Sequence, residues 1–138
     1  MDEELLAKAN AMCQGTLFSH LGMELGLDGQ GRFTMTMPVD DRTKQPHGIL
    51  HGGATAALAE SLGSLASSLI VQDQGKMVVG ISLTVNHIRP VPSGLVTGTA
   101  ELLHEGRTTH VWDVRVRNAS GQLVAVCRMT NMIRDERP

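Results

Sequence analysis

Between Gln45 and Leu69 the chain reads QPHGILHGGATAALAESLGSLASSL, a run of Leu, Ala, Ser and Gly in which Glu60 is the one formal charge. Partial burial among such residues disfavours the charged form of a carboxylate, a common condition for an acid/base group. The same carboxylate could instead form an ion pair or hydrogen bond across a dimer interface. The approach to it, His51-Gly52-Gly53, places two glycines where a helix begins. Backbone N–H groups at such a start can come close to a ligand with the helix dipole behind them. That arrangement can polarise a carbonyl oxygen as it gains charge, although two glycines also suit a plain tight turn. With a polar loop carrying Gln45, His47 and His51 just ahead, the set suggests acyl chemistry.

Other chemistries find less in this sequence. No Gly-x-Ser-x-Gly is present, so a nucleophile elbow is unsupported. His47 and His51 are four apart, but Pro46 and Gly48 put them in a loop rather than on a zinc-binding helix, and no metal is expected. His20, His104 and His110 read as surface or strand residues. Cys13 and Cys127 have no metal-like spacing, and Cys127 sits in an apolar alternation, so a reduced chain with a core thiol is expected. A formal net charge of -2 leaves no basic footprint for nucleic acid. With no Tyr, one Trp and two Phe, little is available to stack on bases. The start, MDEELLAKANAM, lacks the basic and apolar regions of a signal peptide. No segment approaches the roughly 20 uninterrupted apolar residues of a membrane span. A soluble cytoplasmic protein is the expectation.

The elements that would hold these residues can be read in outline. At 138 residues, 41% hydrophobic and 19% charged, the chain suits one globular domain over 1–138. Glu3 to Met12 reads as a short amphipathic helix. Two strands flank the Asp28–Gly31 turn, the second alternating Phe33, Met35, Met37 and Val39. After the long helix, which ends before Gln72, four more strand-like runs follow. They are marked by Val79, Ile81, Leu83 and Val85; by Leu95 to Leu103; by His110, Trp112, Val114 and Val116; and by Leu123 to Ile133. Short turns between them imply antiparallel pairing. The fold class is α+β: one antiparallel sheet of about five or six strands against one long helix. On that helix Leu58, Leu62, Leu65 and Leu69 form a stripe that should face the sheet, with Ala56, Glu60, Gly63, Ser64 and Ser67 nearly opposite. A small, nearly uncharged outer face calls for a second subunit or a ligand to cover it.

The ordered set Gly48-Ile49-Leu50-His51-Gly52-Gly53-Ala54 and Leu58-Ala59-Glu60-Ser61-Leu62-Gly63-Ser64 resembles the helix signature of hot-dog fold thioesterases. The likeness extends through Val78-Val79-Gly80, Asn86-His87-Ile88-Arg89-Pro90 and Gly106 to Trp112, and covers nearly the whole chain. It is closest to the branch acting on 1,4-dihydroxy-2-naphthoyl-CoA and 4-hydroxybenzoyl-CoA. The resemblance implies a sheet wrapped around a central helix, and a homotetramer of two dimers with active sites between subunits. It implies an acyl-CoA substrate, with coenzyme A as part of that substrate and no cofactor besides. By the same likeness Glu60 acts as nucleophile or general base, and the Gly52 N–H binds the thioester carbonyl. Gln45, from the subunit that supplies this glycine, holds the reacting groups, while His51 and Ser64 assist water or the departing thiolate. His87, Arg89, Arg107 and Ser61 fall at substrate or CoA positions. Two rivals share the fold: a dehydratase or hydratase of acyl-thioesters, and a non-catalytic module that binds acyl-CoA. The acyl group itself is left open.

Overall fold

A computed structural model describes residues 3–136. Helices α1 (Glu3–Met12) and α2 (Leu17–His20) precede strands β1 (Glu24–Leu27) and β2 (Phe33–Val39). The long helix α3 (Gly52–Ile70) follows, then β3 (Lys76–His87), β4 (Gly94–Glu105), β5 (Thr109–Arg117) and β6 (Leu123–Asp135). The six strands make one antiparallel sheet in the order β1-β2-β4-β5-β6-β3. Helix α3 packs against β2, β3, β4, β5 and β6.

Alternation in the sequence explains the inner face of the sheet. Met35, Met37 and Val39 of β2 and His110, Trp112, Val114 and Val116 of β5 are all buried, as period-two patterning requires. In β3 the expected alternation of Val79, Ile81, Leu83 and Val85 breaks. A bulge between Gly80 and Ser82 shifts the register against β6, so Leu83 and Val85 pack on the core while Val79 and Ile81 are exposed. The turn around Pro90 is no hairpin either, because β3 and β4 are not neighbours. The connection crosses the end of the sheet, pinned where the Leu50 N–H donates to the Val91 carbonyl (2.8 Å) and the Ile88 N–H to that of Val124 (2.8 Å).

The sheet-facing side of α3 is also rotated from the leucine stripe. Leu58 and Leu62 are fully buried, but Leu65 and Leu69 only partly, and Gly63 and Ser67 belong to the buried side rather than the outer one. Gly63 is there because Met129 of β6 presses against it; a Cβ would lie 2.5 Å from the Met129 sulfur. Ser67 anchors a buried polar cluster. Trp112 Nε1–H and Asn131 Nδ2–H both donate to Ser67 Oγ (2.8 and 2.9 Å), and Asn131 Nδ2 also donates to the Gly63 carbonyl (3.0 Å). Two accepted bonds occupy the lone pairs of the hydroxyl, so its proton goes to His110 Nδ1 (2.9 Å). His110 is therefore neutral with its proton on Nε2. Burial lowers its pKa, with Glu105 opposing and His104 reinforcing the shift.

The two edges of the sheet differ. Along β1 the Asn10 amide mimics a neighbouring strand, its Nδ2 donating to the Leu25 carbonyl (3.0 Å) and its Oδ1 accepting the Leu25 N–H (2.8 Å). Along β3 no described residue covers the outer edge, and Met77, Val79 and Ile81 are exposed there. Bare apolar edges are ones that pair with another chain.

Candidate active site

The loop before α3 is built to deliver the helix start. Gly48 turns it with a positive φ of 79°, a conformation natural to glycine. The Gln45 N–H donates to the Ile49 carbonyl (2.9 Å), and Gln45 Oε1 accepts the His47 N–H. His51 is the N-cap, with extended backbone and Nδ1 accepting the Gly53 N–H (2.7 Å). Its carbonyl takes the N–H groups of Ala54 and Thr55 (3.0 and 3.2 Å). Of the first-turn donors, only the Gly52 N–H has no acceptor among the described residues, and it carries the positive end of the helix dipole. The His87 ring lies over Gly52, its Nε2 3.0 Å from where a Cβ would stand. Together with Ile49, Thr55 and Arg89 these residues line a cleft of about 330 Å³. Thr55 was not singled out in the sequence; its place three residues after Gly52, on the same side of the helix, is the signal that could have found it.

Two turns further along α3, Glu60 is exposed rather than partly buried, because its side chain lies beside β3, the edge strand of the sheet. Its carboxylate rests against Gly80 of β3, where a Cβ would lie 2.9 Å from Oε2. Ser64 follows one turn later and is half-buried. Ser61 is turned into the core at 7% exposure, a step of 100° away from Glu60. Along one helix the Gly52 N–H and Glu60 are separated by eight residues, about 12 Å of axial rise.

Arg89 and Arg107 are both exposed but lie at opposite ends of the sheet. Arg89 follows the His87 end of β3. Arg107 shares a cleft of about 450 Å³ with Lys76 and Arg134 at the other end, roughly 35 Å away by strand rise. Cys127 is buried, and burial with the nearby Asp113 charge pushes its thiol up to about 11, so it is no nucleophile at neutral pH. Among the described residues no group of three His, Cys, Asp or Glu is placed to hold a metal ion, and no helix is long and apolar enough to cross a membrane.

A family model described as "Thioesterase superfamily" matches residues 47–125, the span from the loop before α3 into β6. The chain is 44% identical over 127 residues to the proofreading thioesterase EntH of Klebsiella pneumoniae, covering 92% of each chain. A solved thioesterase from Haemophilus influenzae superposes with a TM-score of 0.90 at 44% identity, over 94% of this chain and 90% of that one. A thioesterase of Staphylococcus aureus has been solved with a glutamate and, separately, with a glutamine changed to alanine. It matches at 39% and 38% identity and a TM-score of 0.80, over 86% of this chain and 98% of that one. A six-stranded sheet around one long helix, a family match across the helix and its flanking strands, and relatives alike over nearly their whole length agree: the chain belongs to the Thioesterase superfamily, as a thioester hydrolase of the hot-dog fold.

Proposed function

We propose that this thioesterase hydrolyses acyl-CoA thioesters with an aromatic acyl group, at two symmetric sites shared between the subunits of a dimer. Glu60 comes from one chain and the Gly52 N–H from the other. The supporting observation is the 12 Å of helix between them. A donor to the carbonyl oxygen must sit about 3 Å from it, and an attacking atom about 3–3.5 Å from the carbonyl carbon. Groups about 12 Å apart on one rigid helix cannot meet both conditions at a single carbonyl.

The bare edge of β3 supplies the geometry. Helix α3 runs antiparallel to β3, with Gly52 near His87 and Glu60 near Gly80. A two-fold axis normal to the sheet at Thr84 would, with the bulge between Gly80 and Ser82 taking up one residue, set Gly80 opposite His87 of the partner subunit, and so bring that subunit's Gly52 toward Glu60. The same axis carries Arg107 to the end occupied by Arg89 of the other chain, where both can meet CoA phosphates. It also covers Glu60, removing it from water. Two such dimers joined through the small outer faces of α3 give a tetramer.

In this site Glu60 either activates a water to attack the thioester carbon or attacks it directly, forming an acyl-enzyme anhydride that a water then hydrolyses to restore Glu60. The oxygen takes up negative charge against the Gly52 N–H, the carbonyl re-forms, and CoA leaves as a thiolate that acquires a proton. The products are the carboxylic acid and free CoA. His51, as N-cap, fixes the direction of the free N–H; Gln45 holds the reacting groups; Ser64 assists water or the thiolate; His87 flanks the pantetheine. Ser61, facing the core, has no part. The chemistry needs no cofactor beyond the substrate's own CoA. In the S. aureus relative the substituted glutamine and glutamate are fifteen residues apart, the spacing of Gln45 and Glu60 here, which supports their pairing. The similarity to a proofreading thioesterase favours a second reading, in which the acyl selectivity is broad.

The test is free-thiol release from benzoyl-, hydroxybenzoyl-, phenylacetyl- and aliphatic CoA thioesters by the natural chain and by Glu60→Gln. The expected result is aryl-selective turnover that falls on the order of a thousandfold in the variant. Equal turnover across the panel would replace the aryl reading with the proofreading one. Turnover indifferent to Glu60 would overturn the mechanism.

A further inference from the structure

Among the glycines inside elements that backbone conformation does not explain, two share a neighbour. Gly63 lies mid-helix and Gly80 mid-strand, and neither has a positive φ. Glycine weakens both kinds of element and persists there where a neighbour needs the space. The neighbours are a single pair of side chains. Met129 rises from β6, its sulfur 2.5 Å from where a Gly63 Cβ would stand, and its methyl reaches to 3.1 Å from the equivalent point on Gly80. Beside that methyl, Glu60 Oε2 and Cδ lie 2.9 and 3.4 Å from the same point. The carboxylate and the methionine methyl thus share the place of one absent side chain.

We propose that Gly80 is a positioning residue for Glu60: its missing side chain is the seat of the carboxylate, and Met129, admitted by Gly63, is the stop that keeps the carboxylate from sliding inward. The β-bulge that follows immediately, between Gly80 and Ser82, changes the facing of β3 beyond the seat, so that Leu83 and Val85 return to the core. The three atoms nearest a Cβ on Gly80 would be the far ends of two flexible side chains, Glu60 and Met129. The fold should accept it. The carboxylate would move by about an ångström, a displacement that can cost a hundredfold in rate.

This inference rests on Glu60 being the reacting carboxylate, and a double-mutant cycle separates the two claims. Gly80→Ala, Glu60→Gln and the double variant are compared by thiol release, with melting temperature and oligomeric mass as controls. The expected result is kcat lower by about ten- to a hundredfold in Gly80→Ala with KM changed by less than about threefold. In the Glu60→Gln background the same alanine should cost nothing further, because the group it displaces is already disabled. If Glu60→Gln alone leaves hydrolysis intact, the assignment of Glu60 fails first. If Glu60→Gln is inactive but Gly80→Ala is fully active, or the two losses multiply, the seat is wrong. Should Gly80→Ala fold poorly, the cycle is repeated in a Met129→Leu background, where the shorter side chain withdraws the methyl. Full activity of Gly80→Ala there, measured against Met129→Leu alone, would equally overturn the proposal.

Discussion

At the first position of α3 a proline can replace glycine without breaking the helix, because that N–H has no intrahelical acceptor. His51 already has the extended backbone (φ -71°, ψ 131°) that a residue before proline prefers. Gly52→Pro therefore deletes one hydrogen, the proposed oxyanion donor, while the exposed His87 ring shifts to admit the pyrrolidine. The expected outcome is a loss of about a hundredfold or more in kcat with a melting temperature equal to or above that of the natural chain, checked by steady-state kinetics and calorimetry. A folded variant with normal kcat would remove Gly52 from the mechanism. At this scale the sequence was most legible where the residues are consecutive. His51, Gly52 and Glu60 can be weighed together because one helix fixes their spacing. Gly80 and Met129 cannot, since their meeting with Glu60 depends on a strand pairing between segments some fifty residues apart.

The anchoring of α3 is an element-scale matter. Ser67, His110, Trp112 and Asn131 tie one helix to two strands through a hydroxyl with no spare lone pair. Protonated His110 would turn its Nδ1 from acceptor to donor against that oxygen. Burial holds its pKa below the unfolded value of about 6.5. A group lowered in this way contributes its stability fully above the unfolded pKa, and that contribution is lost as the pH falls toward the folded value. The melting temperature should therefore decline from pH 7 toward pH 5, and His110→Gln, which keeps an acceptor for Ser67 without titrating, should flatten that part of the profile. Identical slopes in both chains would remove His110 as the cause. The helix and the β5 alternation were readable from periodicity. The rotation of α3 was not, because Met129 pressing on Gly63 decides it, and the β3 bulge was not, because the register against β6 decides it.

For the whole molecule, the treatment of the sheet edges is the informative contrast: Asn10 closes β1, while β3 is long, partly apolar and bare. Strand number and antiparallel pairing followed from turns and alternation, but strand order did not. A short connection looked like a hairpin, and only packing shows it crossing the sheet end to carry the chain from an edge strand to a central one. That order makes β3 an edge, and the β3 edge makes a shared site possible. The claim that each site takes Glu60 from one subunit and Gly52 from the other can be tested directly by co-expressing Glu60→Gln with Gly52→Pro, each nearly inactive alone. In a two-fold dimer, random assembly makes about half the dimers mixed, each with one intact site, so activity should return to about a quarter of the natural level. Recovery near that level is the predicted result. If the mixed dimers form and remain as inactive as the two parents, both groups act within one chain, and the account of a shared site is wrong.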